Sequence, residues 1–180
     1  EGREGEPEGG DARPARIAVA FVEGIITTED SSIAVDGERV ARQIREARKV
    51  GEYDALILRV NSPGGAVYPS RVIARELALA QEQMPVFVSM GQYAASGGYW
   101  VSAPAGHISA NPMSLTGSIG VFAVLPNLEA TARKLGLHFE RTESTRMANL
   151  FSLSEPRSDL QMQAIDAMVQ RTYREFLELV

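Results

Sequence analysis

Three short apolar runs, each followed by a break of small or polar residues, constrain the fold more than any other feature of the sequence. They occupy residues 17–22, 55–60 and 86–90. Their length and predominantly apolar character, interrupted only by Arg59 and Ser89, are typical of buried strands. Between them, residues 36–50 and a stretch from Tyr68 or Ser70 to residue 83 have apolar residues at helical spacing. This alternation predicts βαβ units, and hence an α/β fold with a mostly parallel sheet flanked by helices.

The pattern continues less regularly toward the carboxyl end. It predicts short strands at 107–110 and 118–124, a helix at 127–135 capped by Asn127, an extended segment at 137–141 and a final helix capped by Asp159. Residues 1–15 are acidic, glycine-rich and free of large apolar side chains, so we expect a disordered linker there. We expect residues 16–180 to form one domain. Because the chain starts with Glu and stops within a helical pattern, we expect it to be a piece of a longer protein.

Composition removes several classes of function. The 180-residue sequence has no cysteine, which excludes disulfides, thiol nucleophiles and cysteine-ligated metals. Its net charge of −5 does not favour a nucleic-acid partner. It has no run of about 18 apolar residues, so we predict no membrane span within it. The sequence predicts neither a metal nor an organic cofactor.

Two glycine-rich turns follow neighbouring predicted strands, at residues 61–65 and 93–97. In an open α/β sheet, binding sites form at the carboxyl ends of the strands. Ser96 would then lie in a strand–turn–helix segment where free backbone N–H groups favour developing negative charge. We therefore predict that Ser96 is a nucleophile and that the N–H groups of Gly65 and Gly97 form an oxyanion hole. The alternative is that these turns serve only close packing.

A serine nucleophile needs a base to take its proton, and the sequence offers few candidates. Lys49 and Lys134 are its only lysines, and both are predicted at solvated helix ends, Lys49 on the side away from the site. His107 and His138 have no obvious carboxylate partner, so we expect packed or surface roles for them. The sequence alone therefore leaves the base unassigned.

Four segments resemble, in their order along the chain, the signal peptide peptidase A family of membrane-bound serine–lysine proteases. They are residues 59–65, 89–91, 94–100 and 111–120. The resemblance runs from about Ile17 to Val180 and implies a ClpP/crotonase-like fold. It implies that Ser96 is the nucleophile, that Gly65 and Gly97 supply the oxyanion hole, and that Ser118 hydrogen-bonds the general-base lysine.

The resemblance also suggests where the general-base lysine lies, which this sequence does not provide at the family's usual position. Short members of the family place it near the position of Ala148, where this sequence reads Arg-Met-Ala-Asn at 146–149. Arginine does not act as a base at ordinary pH. The departure resembles the C-terminal copy of long, two-copy members, in which the lysine belongs to the N-terminal half. On this interpretation residues 3–14 are part of the linker between the two copies, and the isolated chain is inactive or nearly so.

The family resemblance further implies substrates, partners and location. The substrates would be signal peptides already cleaved from secreted precursors. The full-length protein would be a homo-oligomer, a tetramer in long members, held by a membrane anchor outside this segment with its catalytic domain on the periplasmic or equivalent face. No nucleic acid and no cofactor is implied.

Substrate-binding residues are predicted from the chain itself. Val67, Tyr68, Met90 and Ile119 are apolar residues that would line a hydrophobic specificity pocket, with ordinary core packing as the alternative. Backbone near 65–67 and 117–120 would pair with a peptide by strand addition.

Two other functions stay open at this point. One is a non-catalytic half that serves assembly, with a vestigial Ser96. The other is a crotonase-type hydratase or isomerase. It is disfavoured because no acidic residue lies between Asp54 and Glu76 or between Glu82 and Glu129.

Overall fold

The computed structural model describes residues 13–139 and 144–180 of the chain. The chain divides into two compact units with a boundary between Gly117 and Ser118. Most of the predicted linker, residues 1–12, lies outside the described residues. Within the described end of this linker, Arg13 forms an ion pair of 2.7 Å with Asp54, and just after the linker the backbone N–H of Arg16 donates to the same carboxylate at 2.7 Å.

The first unit is built on a parallel sheet. Its strands, in chain order, are β1 (Ile17–Glu23), β2 (Ile25–Thr27), β3 (Ala34–Asp36), β4 (Ala55–Ser62), β5 (Val86–Ala95), β6 (His107–Ser109) and β7 (Leu115–Gly117). The main sheet has the order β1-β4-β5-β6, and β7 also pairs with β5. Every pairing among the described strands is parallel. The predicted α/β class with a mostly parallel sheet is confirmed.

Helices α1 (Gly37–Val50) and α2 (Val67–Gln81) pack against this sheet. Alternate residues of β4, Leu56, Leu58 and Val60, are buried in one apolar cluster with the inward faces of both helices. The predicted apolar faces are confirmed, since Ile44 of α1 and Ile73 of α2 are fully buried there. The core therefore fixes α1 and α2 to the strands whose carboxyl ends carry the two glycine turns.

Strand β5 is longer than the sequence predicts. It continues to Ala95, so the predicted turn at 93–97 is wrong for Tyr93–Ala95, which are strand residues. The extension pairs with β7, Tyr93 opposite Leu115 and Ala95 opposite Gly117. It also follows a register shift against β4 between Val60 and Ser62. A pairing partner far along the chain thus stabilises a segment whose local sequence favours a turn.

A buried carboxylate connects α1 and α2. Glu76 accepts hydrogen bonds from Arg45 at 2.7 Å and from Arg48 at 3.3 Å, and its side chain is only 8% exposed. Burial alone would raise the pKa of Glu76, but the two arginines outweigh this effect and leave its pKa below the ordinary value.

The second unit holds α4 (Glu129–Lys134) and α5 (Asp159–Leu179), after α3 (Gly97–Ser102) of the first unit. The predicted strand at 118–124 is wrong, because residues 118–128 are irregular. No described strand pairs with them, so apolar character alone did not produce a strand. Of the predicted extended segment, residues 137–139 are irregular, and residues 140 and 141 lie outside the described residues.

The helix caps of the second unit also differ from the prediction. Ser158, not Asp159, caps α5, in a capping box with Gln161. The N-cap of α4 is Leu128, although the Asn127 side chain accepts a hydrogen bond of 2.9 Å from the Glu129 N–H.

Arg157 holds the irregular segments of the second unit together. Its guanidinium donates to the carbonyl oxygens of Ser152 at 2.9 Å and Leu150 at 3.1 Å. It also donates to those of Leu125 and Pro126, each at 3.4 Å. One side chain thereby satisfies backbone acceptors that none of the described strands or helices satisfies.

Candidate active site

Ser96 lies between the end of β5 and the start of α3, in an unusual backbone conformation. Its φ is 51° and its ψ is −117°, which are angles that L-residues rarely adopt. Two hydrogen bonds hold this conformation. The Ser96 N–H donates to the Gly117 carbonyl at 2.8 Å, and the Ser96 carbonyl accepts from the Trp100 N–H at 2.8 Å. Strain of this kind costs about 1–3 kcal/mol and clusters at functional sites.

The Ser96 hydroxyl is available to a ligand. The residue is half-buried, and within residues 13–139 and 144–180 its hydroxyl makes no hydrogen bond. Buried hydroxyls normally find a partner. A hydroxyl held at a strained turn and left without one fits a role as a reacting group.

The two glycine turns touch each other beside Ser96. Gly64 has a φ of +107°, and a Cβ added there would lie 2.7 Å from the Gly97 nitrogen and 2.8 Å from the Ser96 Cβ. A Cβ added at Gly97 would lie 3.1 Å from the Gly65 nitrogen. The structure therefore brings Ser96, Gly65 and Gly97 together. Among the described residues, neither glycine N–H donates a hydrogen bond, so both remain available to an oxyanion.

Strand β2 fixes the position of Gly65, which the sequence did not predict. The Ile26 N–H donates to the Gly64 carbonyl at 2.9 Å, and the Ala66 N–H donates to the Ile26 carbonyl at 2.8 Å. A Cβ at Gly65 would lie 2.1 Å from the Ile26 oxygen, so only glycine fits. The Ser62 hydroxyl accepts from the Gly64 N–H at 3.1 Å and completes the turn. A serine before Pro-Gly-Gly was a visible signal for Ser62, whereas no local pattern pointed to Ile26.

The other predicted site residues are more scattered. Met90 is buried in the core at 5% exposure, while Val67 and Tyr68 begin α2, half-buried and exposed respectively. A hydrogen bond with Glu38 raises the pKa of the Tyr68 phenol. Ser118 and Ile119 open the second unit, where Ser118 is exposed with a φ of 52° and Ile119 is half-buried. The roles of these residues stay predictions.

None of the lysines and histidines that could act as a base is adjacent to Ser96 along the described chain. Lys49 is exposed in the last turn of α1, which leads into the amino end of β4, whereas the glycine turn follows the carboxyl end of β4. His107 pairs with Phe87 near the start of β5, and its ring packs edge-on against Phe87 at 5.7 Å. Lys134 and His138 are exposed residues of the second unit. Within the first unit as described, no lysine or histidine belongs to the strand ends beside Ser96.

The described chain shows neither a metal-ligand cluster nor a membrane span. No group of three His, Asp or Glu residues in it could hold a metal ion. None of its helices combines the length and the apolar character needed to cross a bilayer.

A strained serine at a strand-to-helix turn, beside two glycine amides, is typical of enzymes that transfer acyl groups through a serine. Residues 78–180 match peptidase family S49. The chain belongs to this family.

Several curated relatives carry protease names. Protease 4 of Salmonella typhi is 42% identical over 166 residues, covering 91% of this chain and 27% of the relative. Protease 4 of Haemophilus influenzae is 41% identical over 172 residues, covering 93% and 27%. The chloroplastic serine protease SPPA of Arabidopsis thaliana is 33% identical over 160 residues, covering 88% and 23%. The chain thus spans about a quarter of the length of these relatives.

Solved structures show a partial likeness. ClpP1 from Listeria monocytogenes aligns with a TM-score of 0.41 and 22% identity, over 48% of this chain and 46% of that one. The 1510-N membrane-bound stomatin-specific protease aligns with a TM-score of 0.47 and 18% identity, over 64% of this chain and 52% of that one.

Proposed function

We propose that this chain is the nucleophile-bearing domain of a serine endopeptidase of the signal peptide peptidase A type. The observation that carries the proposal is the contact of the two glycine turns around Ser96, which places a free hydroxyl beside two free amides. Its membership of peptidase family S49 and its relatives named Protease 4 support the same activity.

The geometry supports acyl transfer in two stages. The Ser96 oxygen attacks the carbonyl carbon of a peptide bond while a base takes the hydroxyl proton, and the carbonyl oxygen gains negative charge. The N–H groups of Gly65 and Gly97 stabilise that charge. Each donor of this kind increases the rate of the reaction by about 10²–10³-fold. The amine then leaves with the proton, and water hydrolyses the acyl-enzyme ester in the same way.

We infer that the base is a lysine outside these 180 residues, and that the Ser118 hydroxyl holds it by a hydrogen bond. The positions of Lys49 and His107 support the inference, because Lys49 lies in the last turn of α1, which precedes the amino end of β4, and His107 is the first residue of β6. Burial or a nearby cation would lower the pKa of such a lysine enough for it to act near neutral pH. By itself, the chain would then have little or no peptidase activity.

Substrate, partners and location are also proposals. A relative from Enterococcus faecium, 30% identical over 171 residues, is named as a putative signal peptide peptidase, which supports cleaved signal peptides as substrates. The full-length protein would be a homo-oligomer, a tetramer in our proposal, anchored in a membrane by a segment outside this one and active on the periplasmic or equivalent face. Val67, Tyr68, Met90 and Ile119 would contribute to its specificity pocket.

A fluorophosphonate probe, which reacts with activated serines, tests the proposal. We expect Ser96 to be labelled when the chain is part of a protein that includes the lysine-bearing half, and to be unlabelled in the isolated chain. Ser96→Ala should abolish the labelling, whereas the exposed Ser32→Ala should leave it unchanged. Labelling of the isolated chain would contradict the proposal that the base lies outside these 180 residues. An absence of labelling in both forms would favour a role in assembly.

A further inference from the structure

Arg59 is a half-buried cation whose partners are neutral. It lies on β4, and its guanidinium donates to the Ser89 hydroxyl at 2.8 Å and to the Met90 carbonyl at 3.2 Å through the same nitrogen. In the described part of the chain, no carboxylate forms an ion pair with it. Arginine has five N–H donors and is rarely buried without a counter-charge. The side chain therefore retains unused donors and an unneutralised charge.

An open cavity of about 320 Å³ borders Arg59. Its polar lining includes Gln92, Asn111 and Ser114, and it contains no acidic residue. The Asn111 side-chain oxygen accepts from the Met113 N–H at 3.0 Å, which leaves the amide NH₂ of Asn111 as a donor. Donors of this kind beside a guanidinium fit an anion rather than a cation.

The sequence around the cavity offers no internal counter-charge. Residues 55–75 and 83–128, which contain every element bordering the cavity, have no Asp or Glu, although the chain as a whole carries a net charge of −5. Arginine's planar fork matches a carboxylate by two parallel hydrogen bonds. A ligand carboxylate would thus supply what the chain lacks at this point.

The cavity and Ser96 lie at opposite ends of one short strand pair. Gln92 and Ser114 immediately precede Tyr93 and Leu115, where β5 and β7 begin to pair, and Ser96 follows the end of this pairing. Four residues of extended chain, from Gln92 to Ser96, span about 13 Å at roughly 3.3 Å per residue. An extended peptide anchored in the cavity would therefore reach Ser96 about four residues from its end.

We propose that the Arg59 cavity binds the free carboxyl terminus of the peptide that Ser96 cleaves. This inference rests on the proposed peptidase function and narrows its substrates to peptides that are cleaved about four residues from a free carboxyl terminus. A released peptide has such a terminus, whereas a loop of an intact protein does not.

Binding to the hydrolysis-incompetent Ser96→Ala chain tests this proposal without depending on the reactivity of Ser96. The probes are two fluorescein-labelled hexapeptides of alanine and leucine, identical except that one ends in a carboxylate and the other in a carboxamide. We expect fluorescence anisotropy to show about tenfold tighter binding of the carboxylate form. Arg59→Gln should remove this preference, and the exposed surface control Arg42→Gln should retain it.

A second variant covers the case in which Arg59→Gln does not fold. Gln92→Glu adds a negative charge to an exposed position in the cavity and should also abolish the preference, with unchanged Trp100 fluorescence as the check on folding. Equal affinity for the two peptides, binding of neither, or a preference that survives both substitutions would overturn the proposal. So would self-association of the chain that Arg59→Gln abolishes, because the counter-charge would then come from a second copy. None of these outcomes bears on whether Ser96 reacts with a fluorophosphonate.

Discussion

Gly64→Ala is the substitution that most directly tests the contact between the two turns. The added methyl group would lie 2.7 Å from the Gly97 nitrogen, 2.8 Å from the Ser96 Cβ and 2.9 Å from the Ala95 carbonyl oxygen. Two of these three atoms belong to the backbone, so no side-chain rotation relieves the overlap. We expect the turn at 61–65 to move away from Ser96, because both segments cannot keep their positions.

The magnitude follows from two separate costs. The φ of +107° at Gly64 is strained for any L-residue, which costs about 1–2 kcal/mol. Overpacking against fixed atoms adds about 1–3 kcal/mol. A total near 3 kcal/mol would lower the urea midpoint of unfolding by about 1.5 M, for a typical slope of about 2 kcal/mol/M.

Gly51→Ala is the matched control. Gly51 also has a positive φ, of +65°, but a Cβ there would meet nothing within 4 Å. It therefore carries the backbone strain without the overlap, and we expect it to cost about 1 kcal/mol. The difference between the two variants isolates the contact between the turns.

The fluorescence of Trp100 provides the assay. It is the only tryptophan, is 5% exposed, and lies on α3 directly after Ser96. Urea titrations followed at Trp100 therefore report the unfolding of the first unit. An ordinary surface substitution changes the free energy of unfolding by about 0.5 kcal/mol or less. If the free energies of unfolding of Gly64→Ala and Gly51→Ala differ by no more than this, the two turns do not touch as described.

Three further predictions concern other parts of the chain. The pKa of Glu76 is lowered in the folded protein, so this carboxylate should stabilise the wild type fully at a pH above 4.5, the ordinary pKa of the group, and progressively less as the pH falls below 4.5. The urea midpoint of Glu76→Gln should therefore vary less with pH over that range than the midpoint of the wild type. Ser158→Ala should weaken the start of α5 by about 1 kcal/mol, seen as about fivefold faster hydrogen exchange at the Gln161 amide, whereas unchanged exchange would contradict the cap. Arg157→Gln should increase the rate of amide hydrogen exchange at residues 150–152 by about tenfold or more, because charge-assisted hydrogen bonds to this segment are lost. An unchanged exchange rate at these residues would show that Arg157 does not stabilise the segment.

The sequence predicted those features whose causes are local. The apolar runs that became β1 and β4 and the amphipathic patterns of α1 and α2 need only the residues they contain. The approach of Gly65 to Gly97 was also predictable, because the carboxyl ends of neighbouring parallel strands meet at one edge of a sheet.

Features that depend on distant partners were missed or misplaced. Strands β2 and β3 have three residues each, too few to show a period, and β2 acts on the site through its backbone. The second half of β5 is a strand because Leu115–Gly117 pairs with it on one side and Ser62 of β4 pairs with Ala94 on the other. The apolar residues at 118–124 have strand-like composition, but no described strand pairs with them.

The candidate active site also combines features that the local sequence predicts with features that depend on distant parts of the chain. Ser96 was found from the small residues around it, whereas its left-handed backbone and the Gly117 carbonyl that holds its N–H were not visible in the sequence. In the sequence, Arg59 is only the first residue of segment 59–65, because the absence of a counter-charge for it among the described residues becomes apparent only when its neighbours in the fold are known.

The backbone angles of Ser96 set stability and function against each other at a single position. Glycine reaches a φ of 51° with a ψ of −117° without the strain that a side chain introduces there, so Ser96→Gly should yield a sturdier protein. Variants chosen only for resistance to heat would drift toward glycine at this residue, while variants chosen for turnover would keep the hydroxyl. Comparing the two selections would separate what Ser96 costs in stability from what its hydroxyl contributes to activity.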